Sequence, residues 1–391
     1  MTIDRRTFLH ATGMCFGGVA TFGFPTVQFA SVPEPGRLVF VLLRGGFDGL
    51  AALVPVGDPE YADLRAGMAF EPGDLFGLDG TFGLAPGLEP LREFWDAGEM
   101  VALHAMAIPF RTRSHFDGQA VLETGLGRPE GSADGWLNRL LQVMEGERSG
   151  IAVAAGMPRS LIGSYPVSTW SPAELGAVDD AYLDRLHLLY RSDPRLFNRF
   201  EAAVQQRDRV GDESMGEGGG RNADVGELFR AAARLIRTEA GPNVAALELS
   251  GWDTHANQGL VGGPLDRLLG RLAEGLVAFR DEMQERWSDT TVVVMTEFGR
   301  TARPNGTRGT DHGTAGAGFV LGPRVAGGRV VADWPGLADR QLYEGRDLHP
   351  TLDTRAVLKG IVQGAFDLTA GQADRVFPDS VGVRGRVDLM A

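Results

Sequence analysis

Cysteine is nearly absent: Cys15 is the only one in 391 residues. A single cysteine in the N-terminal segment excludes an internal disulfide, thiolate metal ligation and a cysteine nucleophile in the body of the chain. A basic surplus is missing too. The formal net charge is −13 at pH 7, which leaves no electrostatic footprint for nucleic acid. Beyond the N-terminus no run approaches the ~18 apolar residues that span a bilayer. Stability therefore rests on a packed core, which a body of about 360 residues can supply.

What is present begins with the N-terminus. Arg5-Arg6-Thr7-Phe8-Leu9 precedes an apolar, Gly-rich stretch over residues 11–30. Charged-then-apolar order directly after Met1 is the layout of a twin-arginine signal, read by machinery that exports folded proteins. The expected division is a signal over residues 1–31 and a single α/β domain over 32–391, periplasmic or extracellular. A cut after Ala30 leaves Gln28 at the −3 position, where a small residue is preferred, so the segment can persist as an anchor. Folding before export is consistent with loading a cofactor in the cytoplasm.

Apolar runs alternate with helical patterns along the body, the signature of a layered βα sheet. Leu38 to Leu43 is a continuous apolar run, expected for a strand buried on both faces. Met100 to Leu103, Ile151 to Ala154, Val244 to Leu249, Val292 to Met295 and Gly318 to Leu321 are further strands. Leu265, Leu268, Leu269, Leu272, Leu276, Phe279 and Met283 recur at helical spacing and form a core-facing stripe. Residues 211–221, GDESMGEGGGR, read as a flexible loop between helical stretches. The pattern predicts a mainly parallel central sheet with helices on both faces.

Four short motifs fall where strands should end, the place at which α/β folds gather functional groups. Arg44-Gly45-Gly46-Phe47-Asp48-Gly49 follows the first strand. Its glycines let the chain turn sharply, and Asp48 reads either as an Asx-turn residue or as a projecting metal ligand. Arg111-Thr112-Arg113-Ser114-His115-Phe116-Asp117 opens a helix. Ser114 reads equally as an N-cap and as a nucleophile at the positive end of a helix dipole. Arg111 and Arg113 are forked donors for anionic oxygens, and His115 is a further ligand candidate. Gly251-Trp252-Asp253-Thr254-His255 follows the Val244 strand. Positions two apart in extended backbone point the same way, so Asp253 and His255 can share one metal. Finally, Val292 to Met295 leads to Glu297 and Arg300, and a Gly-rich loop then carries Asp311 and His312. Asp311 reads as a ligand or as the group that orients His312. Asp/Glu/His ligation without sulfur suits zinc, manganese, magnesium or calcium. His10 lies in the signal, His187 in a helical segment, and His104 at the end of the second strand is a core candidate.

The twin-arginine start, LVFVLLRGGFDGL, VALHAMAIPFRTRSHFDGQ, ADGWLNRLLQ, GWDTHANQ and VVVMTEFGRTARPNGTRGTDHG together resemble the exported bacterial family called domain of unknown function 1501. The resemblance runs through DLHPTLDTRAVL to the terminal VFPDS. It implies an alkaline-phosphatase-like fold, the superfamily of sulfatases and metal-dependent phosphomutases, with two metals at strand ends. By that resemblance Asp48 ligates one metal, Ser114 holds the place of the nucleophile, Asp253 and His255 resemble an Asp/His pair, and His312 resembles the final histidine. Phe298 stands where the pattern has histidine, and Ala85 where the family often has one. The first loss removes a ligand and points to a one-metal or rearranged site using His115 or Asp311. No Cys/Ser-x-Pro-x-Arg motif occurs, which argues against a standard sulfatase.

The leading expectation is an exported hydrolase of phosphate- or sulfate-type esters using one or two divalent metals. Ser114 or a metal-bound hydroxide would attack, and Arg113 and Arg300 would hold the anionic group of a small-molecule or envelope substrate. The alternatives are a catalytically degenerate ligand- or partner-binding member of the fold, and a metal-dependent transferase on envelope glycans or lipids.

Overall fold

Residues Arg37–Arg44 (β1) form the centre of the molecule because every second side chain has somewhere to go. Leu38, Phe40 and Leu42 enter one buried cluster, while Val39, Val41 and Leu43 enter another on the opposite face. A strand buried on both sides tolerates no polar alternation, and its uninterrupted apolar sequence reflects that. The computed structural model describes residues 36–391, apart from 132–133, 147, 155, 172–189, 191–196, 198–199 and 202–224. The expected signal over 1–31, Cys15, His10, His187 and the 211–221 loop lie outside the described residues.

Eight more strands join β1: Met100–Ala107 (β2), Gly150–Val153 (β3), Ser168–Trp170 (β4), Val244–Ser250 (β5), Thr290–Thr296 (β6), Gly316–Leu321 (β7), Arg329–Val331 (β8) and Leu352–Asp353 (β9). Their spatial order is β8-β2-β7-β6-β1-β5-β3-β4, with β9 also pairing β2. All pairings are parallel except those of β7, which runs antiparallel to β2 and β6. The six strands expected from apolar runs are all in this sheet. Three were not legible: β4, β8 and β9 span two or three residues each, too short to show a period.

Helices cover both faces, as the pattern predicts. Val225–Ile236 (α3) and Pro264–Met283 (α4) pack over the face that holds Val39 and Val41. The α4 stripe is the expected one, with Leu265, Leu269, Leu272, Leu276, Phe279 and Met283 buried and Leu268 partly buried at its margin. His115–Thr124 (α1), Trp136–Val143 (α2), Thr354–Phe366 (α5) and Ala370–Val376 (α6) cover the other face. Among the described residues no helix is long and apolar enough to cross a membrane.

The arrangement brings separate stretches of chain to one rim. Segments leaving the C-terminal ends of β1, β5 and β6 meet there, and α1 begins after the seven residues that follow β2 in the same region. β7 enters from that rim because it runs the other way, so the loop before it arrives where the loops after its neighbours leave.

Candidate metal centre

Each histidine at the rim is fixed through one ring nitrogen. His115, the first residue of α1, places Nδ1 2.7 Å from Glu297 Oε1. His312 places Nδ1 3.0 Å from the carbonyl of Arg113, and His255 places Nδ1 3.3 Å from Asp311 Oδ1. All three partners are acceptors, which suits rings that carry the hydrogen on Nδ1 and turn an Nε2 lone pair the other way. Those lone pairs converge. Nε2 of His312 lies 2.9 Å from Nε2 of His115 and 3.0 Å from Nε2 of His255. Asp253 completes the group: Oδ1 is 3.0 Å from His255 Nε2 and 3.2 Å from His312 Nε2, and Oδ2 is 3.4 Å from His115 Nε2.

Lone pairs aimed at one another repel unless a cation or a shared proton sits among them. The five close separations, 2.9–3.4 Å, lie near the edge, about 3.3 Å, of a tetrahedron around an ion 2.0–2.1 Å from each donor, and they draw on both oxygens of Asp253. His115, Asp253 and His312 each offer a ligand atom within 4.8 Å of the others, and His255 touches two of the three. His115, Asp253 and His312 therefore fit one divalent ion, with His255 beside two of them.

The surroundings are built to hold that geometry. Glu297 is fully buried, yet its Oε1 accepts from Gly45 N–H at 2.9 Å and Gln119 Nε2 at 3.0 Å besides His115, and Oε2 accepts from Thr296 Oγ1 at 3.0 Å. Burial raises the pKa of this carboxyl, but the His115 bond and these donors outweigh it and hold it below the usual range. The Glu297 bond in turn raises His115, against its partial burial. His312 is lowered by burial and by the neighbouring charge of His115. Gly45 has φ +128°, and a Cβ there would stand 2.6 Å from the backbone nitrogen of Asp253. The close approach of the two loops needs glycine at that position. Beneath the loop, buried Trp252 packs edge-on against Phe47 with ring centroids 5.3 Å apart.

Several expected roles change. Glu297 faces the far side of His115 rather than the cluster, so it is placed to orient that ring and not to join the donors. Asp311 does the same for His255, with Asn305 Nδ2 3.0 Å from its Oδ1. Asp48 does not reach the cluster. It is fully buried and held by Arg65 through two bonds of 2.6 and 2.9 Å, with Gln258 Nε2 at 2.7 Å. Burial alone would raise this carboxyl, and the Arg65 guanidinium wins and lowers it. A carboxylate already neutralised by a buried guanidinium is a poor second-metal ligand.

The two arginines expected to clamp an anion are engaged elsewhere. Arg300 is buried and donates to Asp253 Oδ1 and to both oxygens of Thr310. With it, Asp253 stays below the usual carboxylate range although burial opposes this. Arg113 pairs with Asp347 at 2.7 Å and Glu344 at 2.5 Å. Its backbone sits at φ +59°, a left-handed conformation that costs a non-glycine residue about 1–2 kcal/mol. Ser114 is the N-cap of α1 and accepts from the Asp117 N–H at 3.4 Å. Phe298, in place of the histidine the family pattern would supply, lays its ring 4.8 Å from His115 and 5.2 Å from His312. It backs the imidazoles with apolar surface.

Sequence reasoning missed Gln119, Arg65, Gln258, Thr310 and Asp347. Only Gln119 had a signal, since it lies four residues after His115 and so on the same helical face. Arg65 and Asp347 meet their partners through tertiary folding that no spacing reveals.

Fold and site define an α/β protein with a mostly parallel sheet and a three-histidine, one-aspartate donor cluster on its C-terminal rim. The chain belongs to the family described as "Protein of unknown function (DUF1501)", whose sequence profile matches residues 100–378. No curated protein matches the sequence significantly. Among solved structures it is similar to Ps i-CgsB in complex with k-i-k-neocarrahexaose, at 12% identity and TM-score 0.41, over 90% of this chain and 77% of that one. It is also similar to a protein in the alkaline phosphatase superfamily from Vibrio parahaemolyticus, at 12% identity and TM-score 0.39, over 76% of this chain and 62% of that one. A third is the lipoteichoic acid synthase LtaP from Listeria monocytogenes, at 10% identity and TM-score 0.39, over 88% and 75%.

Proposed function

We propose that residues 32–391 form an exported, metal-dependent hydrolase of phosphate- or sulfate-type esters. The observation that carries this reading is the convergence of three Nδ1-anchored imidazoles and Asp253 on a solvent-exposed rim. The export part of the reading rests on the Arg5-Arg6 segment. A divalent metal bound there supplies Lewis-acid polarisation of an ester oxygen. Three nitrogens and one oxygen suit zinc or manganese better than magnesium or calcium.

The chain's own groups supply the rest of the chemistry. Ser114 stands at the positive end of the α1 dipole, next in sequence to His115, where an anionic ester group is favoured. Its hydroxyl is the nucleophile in this reading. Arg300 keeps Asp253 ionised and aimed, and Phe298 keeps water from the inner side of the rings. Arg113 and Arg300 position ligands rather than hold the substrate.

The test is elemental analysis of full-length protein purified without chelators, with assays on an aryl phosphate and an aryl sulfate. About one equivalent of zinc or manganese is expected, with turnover lost on chelation and restored by the metal. Less than about a tenth of an equivalent, with no turnover on adding either metal, overturns the reading. A second reading is a metal-bearing module that binds a ligand or partner without turning it over. With His255 joining the other three, four protein donors would complete a tetrahedral shell of the kind structural sites use, and both nearby arginines are already engaged. A full complement of metal with no turnover of either ester, alone or with an alcohol acceptor, favours it.

A further inference from the structure

We infer that Asp347 is a positioning residue for the metal centre, holding His312 from both ends through Arg113 and Arg346. The inference rests on reading His115, Asp253, His255 and His312 as cation donors. Asp347 follows no strand of the main sheet and touches none of the four. It is nonetheless a fully buried carboxylate. Its Oδ2 accepts from Arg113 Nε at 2.7 Å and Thr314 Oγ1 at 2.8 Å, and its Oδ1 accepts from Arg346 Nη1 at 3.1 Å.

Both arginines continue to His312. The Arg113 carbonyl accepts from His312 Nδ1 at 3.0 Å, which sets the ring's tautomer and aims Nε2 at the cluster. Arg346 Nη2 donates to the His312 main-chain carbonyl at 2.9 Å, which fixes the backbone that carries the ring. Thr314, two residues beyond His312, is the third group on the same carboxylate. Asp347 therefore ties the loop before α1 to the loop before β7 at the one ligand they share.

A second observation separates positioning from packing. Arg113 adopts φ +59°, a conformation that side chains avoid unless surrounding contacts impose it. Its side chain is held at the same time by the Asp347 and Glu344 pairs. The outcome is a carbonyl turned toward His312. A carboxylate needed only to fill space would do better as an apolar residue, because burying the charge is costly.

The experiment titrates cobalt(II) into the metal-free full chain and into Asp347→Asn, in competition with a chromophoric chelator. Visible d–d absorption and the melting temperature of each metal-free form are recorded alongside. Loss of the positioning group is expected to weaken cobalt binding about 10–100-fold and to shift the visible bands as His312 loses its fixed orientation. Arg346→Ala, on a partly exposed side chain, is expected to move both readouts in the same direction by less. Asp289→Asn removes the charge of a partly buried partner of buried Arg37, 2.6 Å away in a different part of the fold. It is expected to lower the melting temperature and leave cobalt binding unchanged. Wild-type cobalt affinity and spectra in both Asp347→Asn and Arg346→Ala would overturn the inference, however far the melting temperatures fall. If Asp347→Asn does not fold, Arg346→Ala decides alone. Failure of the wild type itself to take up cobalt overturns the underlying metal reading, and is seen before any variant is compared.

Discussion

At the scale of single residues, the difference between a ligand and its support is one of direction. Glu297 and Asp253 are both carboxylates at strand ends, and residue type gave no means to rank them. The structure turns Glu297 toward Nδ1 of His115 and Asp253 toward the ring of Nε2 atoms. Glu297→Gln keeps the size and removes the charge, so metal affinity is expected to fall about 10–100-fold, measured by chelator competition. Asp48 is the opposite case. Its partner is Arg65, so Asp48→Asn leaves a buried guanidinium without its counter-charge. A loss of about 3–5 kcal/mol in unfolding free energy is expected, with metal stoichiometry unchanged in the fraction that stays folded. Denaturant titration with metal analysis checks it, and metal loss with unaltered stability would return Asp48 to the ligand set. Asp48 was legible as an important position, but Arg65, seventeen residues further on, carries no pattern that announces the pairing.

Elements show where local sequence suffices and where it does not. The α1 N-terminus was readable because Ser114, with Asp117 three residues later, is a capping signal. Capping alone predicts that Ser114→Ala costs about 1 kcal/mol and no more. The proposed nucleophilic role predicts in addition a fall in turnover of at least about 100-fold, with metal content preserved. Turnover that survives the substitution reduces Ser114 to a cap. The long strands were equally legible, since β1, β5 and β6 are each built around a run of apolar residues. The short strands β4, β8 and β9 gain their conformation from pairing with β3 and β2, not from their own composition. The antiparallel direction of β7 was also hidden, because an apolar hexapeptide reads the same either way.

For the whole molecule, sheet and cluster are coupled, and two solution measurements follow. The four donors come from three separate loops, so a bound ion cross-links segments that the sheet alone leaves independent. At a thousandfold excess over its dissociation constant a ligand adds about 4 kcal/mol to stability. Chelation is therefore expected to lower the melting temperature by several degrees without altering the far-ultraviolet spectrum of the sheet. The second concerns His104, fully buried on β2, which was expected to be a core or supporting residue and has its rings packed against Phe82 and Trp334. Burial pushes its pKa down to about 4, so the folded chain holds it neutral where the unfolded chain would take a proton. Between pH 6.5 and about 4 the unfolded state binds the extra proton, so stability falls as pH drops through that window, by about 3 kcal/mol at most. His104→Phe is expected to flatten that part of the pH–stability curve. A slope unchanged in the variant would assign it to other groups. Together, the apolar runs made the layered architecture legible, while the selection of donors was not, because it depends on which side of each ring faces inward.

The reversed direction of β7 also sets an order in time. Three donors are present once about two-thirds of the polypeptide has left the ribosome, but His312 waits for the loop that precedes this strand. A nascent chain shorter than that has no complete cage, however well its earlier strands have paired. Under the proposed reading, metal capture would be deferred until nearly the entire sheet can close, and loading would fall between the end of translation and export.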